Sequence, residues 1–486
     1  MSPREAGSAA AGILEELGTR SPEPAVAMRA LDRLTRLRPL LEDPVLARRL
    51  DIRIPTLRNE GIDAGPQERI VETRREILAR FRRARVPFEG GARSPVELDR
   101  LRCGAVEEET RREAWSALAP FWREIAPLCA SLFDARDAAA RSAGWEGEVA
   151  RRDELEEIRA GLGREWISEL EADTEEFFRA GLPSGHLAPW NLRDVDPSHL
   201  YPFAAPVEWN DAREAARQLF AAVGFEAEEI EAALVRVGDD RPPVENVLGL
   251  RETVRSIALA LYEENLPDGP AEFRRPASKG LAEGVGEFFA DLASDSRWLR
   301  RAFRGLQSSD RGPVLETAWE RVVRLRFDVV RVEFETEAYR NPGRDLDELW
   351  WNLLEKRLRV ERFDDVPQWT SDPDLALRSF VWRERLVGKM IASQIRNYLL
   401  RARGGILEDP GTAVFFRDRI FEAGASLPWH RVVERATAEP LNPRYHLRDV
   451  LEGPKPYLPE ASPRRREPGD AGTAPETGTS IPASGR

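Results

Sequence analysis

Apolar residues along this chain recur at three- and four-residue steps, the spacing of one face of an α-helix. Between Gln67 and Ala84, the residues Ile70, Val71, Ile77, Leu78 and Phe81 fall on one side, with arginines opposite. Residues 107–143 repeat the pattern with Trp115, Leu118, Trp122, Ile125 and Leu132, and Gly144 marks the C-terminal cap. Pro120 and Pro127 lie inside this run, which predicts a kink or two helices. Residues 151–180 predict one more charged amphipathic helix, and the Pro-, Asp- and Trp-rich stretch 182–210 predicts a long ordered loop. Further helices are expected at 211–222, 226–235, 313–340, 345–359 and 379–401, the third of these stopped by Asn341-Pro342. No period-2 run of useful length appears, so the expected fold is all-α with few short strands. No internal repeat or glycine-rich phosphate loop stands out. Residues 1–24 and 458–486 have the composition of disordered ends, leaving 25–457 as the helical domain.

Composition narrows the function classes. The 486 residues suffice for a large core, in one big domain or two to three smaller ones. A net charge of −12 argues against nucleic acid or an anionic membrane as the main partner. Lysine occurs only at Lys279, Lys356, Lys389 and Lys455, so arginine carries nearly all the positive charge, a bias attributed to genome composition. Cys103 and Cys129 make no disulfide framework, and Cys129 in its apolar run is expected to be a small core residue. Met1–Arg20 shows no secretory pattern and no segment approaches the length of a membrane span. The expected setting is cytoplasmic, without membrane insertion; secretion is the alternative if the N-terminus is misassigned.

The segment that speaks to chemistry is Arg251-Glu252-Thr253-Val254-Arg255, followed downstream by Ala282-Glu283-Gly284-Val285-Gly286-Glu287. The first has the frame of His-Glu-x-x-His with Arg at both His positions. The second has the frame of His-Glu-x-x-Gly-Asp, which supplies a third zinc ligand. In that arrangement two histidines one helical turn apart grip the metal, and the intervening Glu activates its water. A guanidinium has no lone pair to donate and stays protonated, so arginine cannot replace those ligands. The four histidines are His186, His199, His430 and His446; none lies within the frame and neither pair has ligand spacing, so each is expected on the surface or in a loop. On its own, the pentapeptide reads as an ordinary solvated helix face.

Longer segments add to it. Phe334-Glu335, Tyr339, Asn341-Pro342, Asp345-Leu346 and Leu349-Trp350-Trp351 come in that order, followed by Leu386-Val387-Gly388-Lys389-Met390-Ile391-Ala392-Ser393-Gln394 and by Thr437-Ala438-Glu439-Pro440-Leu441-Asn442-Pro443. More loosely, Arg112–Trp115, Leu132–Ala140 and Leu187–Asn191 fit the same frame. Together these resemble the bacterial homologues of angiotensin-converting enzyme, zinc peptidyl-dipeptidases of the gluzincin group, over roughly residues 25–455. The resemblance implies a two-lobed helical body around a deep central cleft. It makes Arg251, Arg255 and Glu283 former zinc-ligand positions, Glu252 the former general-base position and Glu287 a position behind the ligands. The groups that stabilise the tetrahedral intermediate fall at Leu375 and Arg385. The lysine that anchors the substrate carboxylate has no counterpart, because none lies between Lys356 and Lys389. Gly238–Leu250 stands where the family has a longer cleft edge.

The resemblance with these departures implies a catalytically inactive homologue, a pseudopeptidase without zinc or another cofactor. Its cleft would hold a peptide or protein, lined by residues such as Trp369 and Trp382, unless those tryptophans are core. One alternative is a hydrolase with an altered or metal-independent site that uses Glu252. Another is an interaction scaffold whose cleft is filled by its own side chains. At the former site, a guanidinium bridging the two helices to Glu283 and arginines extended into a water-filled cleft are both open.

Overall fold

The computed structural model describes residues 1–453 except 19–21, 63, 159–161, 183–184, 193–201, 239–242, 304–316 and 364–365. The expected disordered tail at 458–486 lies outside the described residues. Among the described residues the fold is all-α, with two short two-stranded sheets.

The expectation of a disordered N-terminus is corrected. Helix α1 (Pro3–Leu17) opens on a capping box: the Ser2 hydroxyl accepts from the Glu5 N–H, and the Glu5 carboxylate accepts from the Ser2 N–H. Its small residues are helix formers with a stripe, Ala6, Ala10, Ile13 and Leu14, which is buried against α2 (Pro24–Leu37) and α3 (Pro44–Glu60). Leu31, Leu34, Leu50 and Leu57 complete this small separate core. Helix α4 (Ala64–Arg83) follows; of its apolar face only Ile77 is fully buried, and Val71 and Leu78 are exposed.

Strands β1 (Val86–Phe88) and β2 (Gly91–Arg93) form a hairpin. Its two turn residues, Glu89 and Gly90, both have positive φ, as a tight two-residue hairpin requires. After α5 (Pro95–Gly104) comes α6 (Glu108–Ser142), one continuous helix rather than two. Pro120 and Pro127 both lie on its exposed face, where water can satisfy the freed carbonyls. Trp115, Leu118, Trp122, Ile125 and Leu132 hold the opposite face in the core, and Cys129 is buried among them. Gly144 (φ 87) follows its end, as expected of a cap residue.

The stretch 151–180 is two helices, α7 (Glu148–Leu155) and α8 (Leu162–Ala180). Glu157 takes a left-handed conformation (φ 53) just past α7, which ends it. The expected loop at 182–210 contains β3 (Pro202–Val207), paired antiparallel with β4 (Val244–Asn246). Between them lie α9 (Trp209–Ala222) and α10 (Ala227–Val237). The helices that follow are α11 (Val247–Glu264), α12 (Lys279–Leu292), α13 (Ser296–Ala302), α14 (Ala318–Arg340) and α15 (Leu346–Leu358). The chain ends its described part with α16 (Pro373–Leu377), α17 (Val381–Arg403), α18 (Gly411–Phe416), α19 (Trp429–Thr437) and α20 (Arg444–Glu452).

Two large apolar clusters carry the body. One gathers α6, α14 and α15 around Trp122, Trp350, Trp351 and Trp369. The other gathers α9 to α12, α18 and α19 around Phe220, Phe288, Phe289, Phe416 and Phe421. Helix α17 serves both: Leu386 and Met390 enter the first, while Val387, Ile391 and Ile395 enter the second. Its crossing with α12 is tight because both helices offer glycine. A Cβ at Gly388 would lie 2.7 Å from the Cβ of Glu283, and one at Gly284 would lie 2.8 Å from Ile391.

Candidate functional site

Arg251 and Arg255 stand one turn apart on α11 and face α12. Arg255 forms an ion pair with Glu283 across the two helices, and a weaker one with Glu252 on its own helix at 3.2 Å. Gly286 gives the Arg255 stem its room, since a Cβ there would lie 2.8 Å from Arg255 Cγ. Arg251 donates to Glu287 at 2.8 Å and to the Ser294 hydroxyl at 2.9 Å, and pairs with Asp291 at 2.8 Å. Of the two arrangements left open, the bridging one is found. Positions 251 and 255 thus each reach a carboxylate on α12, at 287 and 283 respectively. Glu252 touches this cluster only at its rim, through Arg255: its side chain is 68 % exposed.

These residues do not fit zinc. The two ligand positions on α11 are guanidiniums, and the Glu283 carboxylate is already paired to one of them. Among the described residues no group of three His, Cys, Asp or Glu side chains is placed to hold a metal ion.

The cluster extends into a charged chain between helices. Asp291 pairs with Arg396 on α17 at 3.4 Å, and Arg396 pairs with Asp449 on α20 at 2.7 Å. Lys389 on α17 donates to Asp328 on α14 at 2.6 Å, and Asp328 also holds Arg331 at 3.1 Å. Burial alone would push the Glu287 carboxyl up, but Arg251, Lys389 and Arg255 outweigh it and hold it below the usual range. Asp328 is held low in the same way by Lys389 and Arg331.

The remaining predicted positions behave differently. Leu375 is fully buried in α16 and has no polar atom to offer. Arg385 pairs with Asp374 at 3.1 Å and lies over the Trp382 ring. Trp369 is core, 1 % exposed, with its indole N–H donated to Asp347 at 2.7 Å. Trp382 is partly buried, with Arg331 over its ring at 3.8 Å. His186 is exposed, as expected, and His199 lies outside the described residues. His430 is partly buried beside Trp429 on α19. His446 corrects the expectation of a surface or loop residue. It sits on α20 with Nδ1 3.2 Å from the Ser393 hydroxyl, and burial together with Lys389 and Arg396 pushes its imidazole down to about 3.

A cavity of about 780 Å³ adjoins this cluster of ion pairs and is lined in part by Ala282 and Glu283. Its walls come from α4, α6, α7, the second half of α11, the first turns of α12 and α17 and the segments just before those two helices, with Asn59 of α3 at the edge. Apart from Glu283, the frame did not point to its polar residues, which are drawn from many separate elements and the segments between them. They include Arg152, Arg275, Lys279 and Glu384. Arg152 on α7 and Glu384 on α17 form an ion pair in its wall. The only sequence signal was the rarity of lysine, which singles out Lys279.

No family model matches the chain, and no curated protein matches it. Among the described residues no helix is long and apolar enough to cross a membrane.

Proposed function

We propose that the chain is a catalytically inactive relative of the zinc peptidyl-dipeptidases, a cytoplasmic pseudopeptidase with a two-lobed body whose cleft binds a peptide. The observation that carries this reading is the ion pair from Arg255 to Glu283, at the positions where the frame calls for two zinc ligands. A guanidinium there repels a dication and ties up the one remaining anionic ligand position. Arg251 with Glu287 and Asp291 repeats the pattern one turn away. The exposure of Glu252 speaks against a metal-independent hydrolase built on it, since a general base works best in a site shielded from water. The cavity speaks against a cleft filled by its own side chains, because its volume falls in the range of ligand pockets.

The test is the zinc content of purified protein by mass spectrometry after dialysis against trace zinc, together with hydrolysis of a peptide library. The expected result is negligible zinc, no cleavage and saturable retention of some library peptides. About one zinc per chain, or cleavage abolished by a chelator, would overturn the proposal.

A further inference from the structure

We propose that the cavity beside α7 and α12 is a binding site for a small polyanion, a compound carrying two or more carboxylate or phosphate groups. Four cations line it without donating a side-chain hydrogen bond to the protein: Arg74, Arg275, Lys279 and Arg378. Lys279 comes no nearer than 3.9 Å to a carboxylate oxygen, and Arg378 no nearer than 3.6 Å. Arg74 and Arg275 take part in no ion pair among the described residues.

The acids in the same walls are already matched. Glu148 is held by Arg151, Glu384 by Arg152, Glu283 by Arg255 and Glu263 by Arg236. Glu156 accepts the backbone N–H of Lys279 at 2.8 Å and lies 3.8 Å from Arg152. Seven cations line the cavity against five carboxylates, two of which are held by arginines outside it, so the balance of charge there is positive in a chain whose net charge is −12.

Guanidinium donors match the oxygens of carboxylate and phosphate in pairs, and a lysine adds a point charge. Lys279 opens α12, so the positive end of that helix reinforces the field. The volume is that of a small-molecule site rather than of a macromolecular groove. The inference rests on the cavity and its cations, not on descent from a peptidase. Failure of peptide binding leaves it standing, and failure of anion binding leaves the pseudopeptidase reading standing.

The test is isothermal titration calorimetry on the full chain with citrate, pyrophosphate and uncharged glucose, at constant ionic strength set with sodium chloride. Citrate or pyrophosphate is expected to bind and glucose is not. Citrate alone would identify a carboxylate ligand, and pyrophosphate alone a phosphate ligand. Arg275→Gln and Lys279→Gln are each expected to weaken binding about tenfold, the worth of one charge-assisted hydrogen bond. Their unliganded unfolding temperatures should match that of the wild-type protein, because neither side chain hydrogen-bonds to it. No heat of binding from either anion, or binding undiminished in both variants, would overturn the proposal.

Discussion

The Glu335 carboxyl on α14 accepts the backbone N–H of Phe380 at 2.5 Å, and Phe380 is the left-handed residue (φ 59) from which α17 starts. The carboxyl is fully buried and its other oxygen has no partner. Burial pushes it up to about 8, in spite of the Phe380 N–H and of Arg136, Arg383 and Arg152. This carboxyl anchors the entry to the helix shared by both cores.

That gives a pH dependence with a definite sign. The folded state holds the Glu335 proton more tightly than the unfolded chain does, so folding is favoured most below the ordinary carboxyl value of 4.5. This contribution is lost as the pH rises through about 8. Glu335→Gln keeps the acceptor and removes the titration. Urea unfolding from pH 5 to 9 should show wild-type stability falling relative to the variant, by an amount on the order of a few kcal/mol. Parallel curves for the two proteins would refute the assignment.

His446 acts in the opposite direction. Its folded value of about 3 lies below the ordinary 6.5, so the unfolded chain takes up the proton first as the pH falls. The stability it contributes is present above 6.5 and is lost as the pH drops towards about 3. His446→Asn should flatten the acid limb of the stability profile while leaving the alkaline limb of Glu335 in place. Acid unfolding followed by circular dichroism separates the two limbs.

Much of the helical fold was legible because burial imposes the three-and-four spacing. The failures have local causes. Residues 1–24 read as a disordered end because they are small and polar, yet the small Ala6 and Ala10 are what lets α1 pack closely. The prolines of α6 read as breaks because nothing in the spacing says that both face water. The segments that carry the peptidase resemblance turn out to be clamps. Gln394 is fully buried; its amide N–H groups reach Thr437 Oγ1 and the carbonyls of Glu439 and Pro440, and its oxygen accepts the Asn442 N–H. Arg136 likewise donates to the carbonyls of Ala376 and Leu377 before α17. The spacing placed Arg251 and Arg255 on one face of α11, but the choice between the two open arrangements was made by the packing of α11 on α12, which brings Arg255 to Glu283. The cavity cations were not legible, since their convergence depends on how distant elements and the segments between them pack.

The glycine crossing of α12 and α17 should tolerate no methyl group. At Gly388 the added Cβ meets the Glu283 Cβ at 2.7 Å and backbone atoms at 2.9 Å, and helix backbone cannot swing aside as a side chain can. Gly388→Ala is expected to destabilise by about 1–3 kcal/mol, although alanine is the better helix former. A rise in unfolding temperature would mean that the two helices do not cross this closely in solution.

The pair of Arg255 and Glu283 should cost more to break from one side than to remove altogether. Their side chains are only 11 % and 15 % exposed, so Glu283→Ala strands a guanidinium that water reaches poorly. The single variant is expected to lose about 3 kcal/mol, near the lower end for a one-sided break of a buried pair. The double variant Arg255→Met with Glu283→Leu has no stranded charge and should lie closer to the wild-type protein in urea midpoint. An unchanged midpoint for Glu283→Ala would show that the bridge holds nothing together.

The same geometry predicts a gain of metal binding. Arg251→His with Arg255→His places two imidazoles one turn apart on α11 and frees the Glu283 carboxylate on α12. Two imidazoles and one carboxylate are the protein ligand set of a catalytic zinc site. The double variant is therefore expected to retain about one zinc per chain after dialysis, where the wild-type protein retains none. Adding Glu283→Ala to it should weaken zinc retention by removing the third ligand. Failure of the double variant to hold zinc, with its circular dichroism spectrum intact, would mean that Arg251 and Arg255 do not occupy former ligand positions and that the ion pairs have another origin.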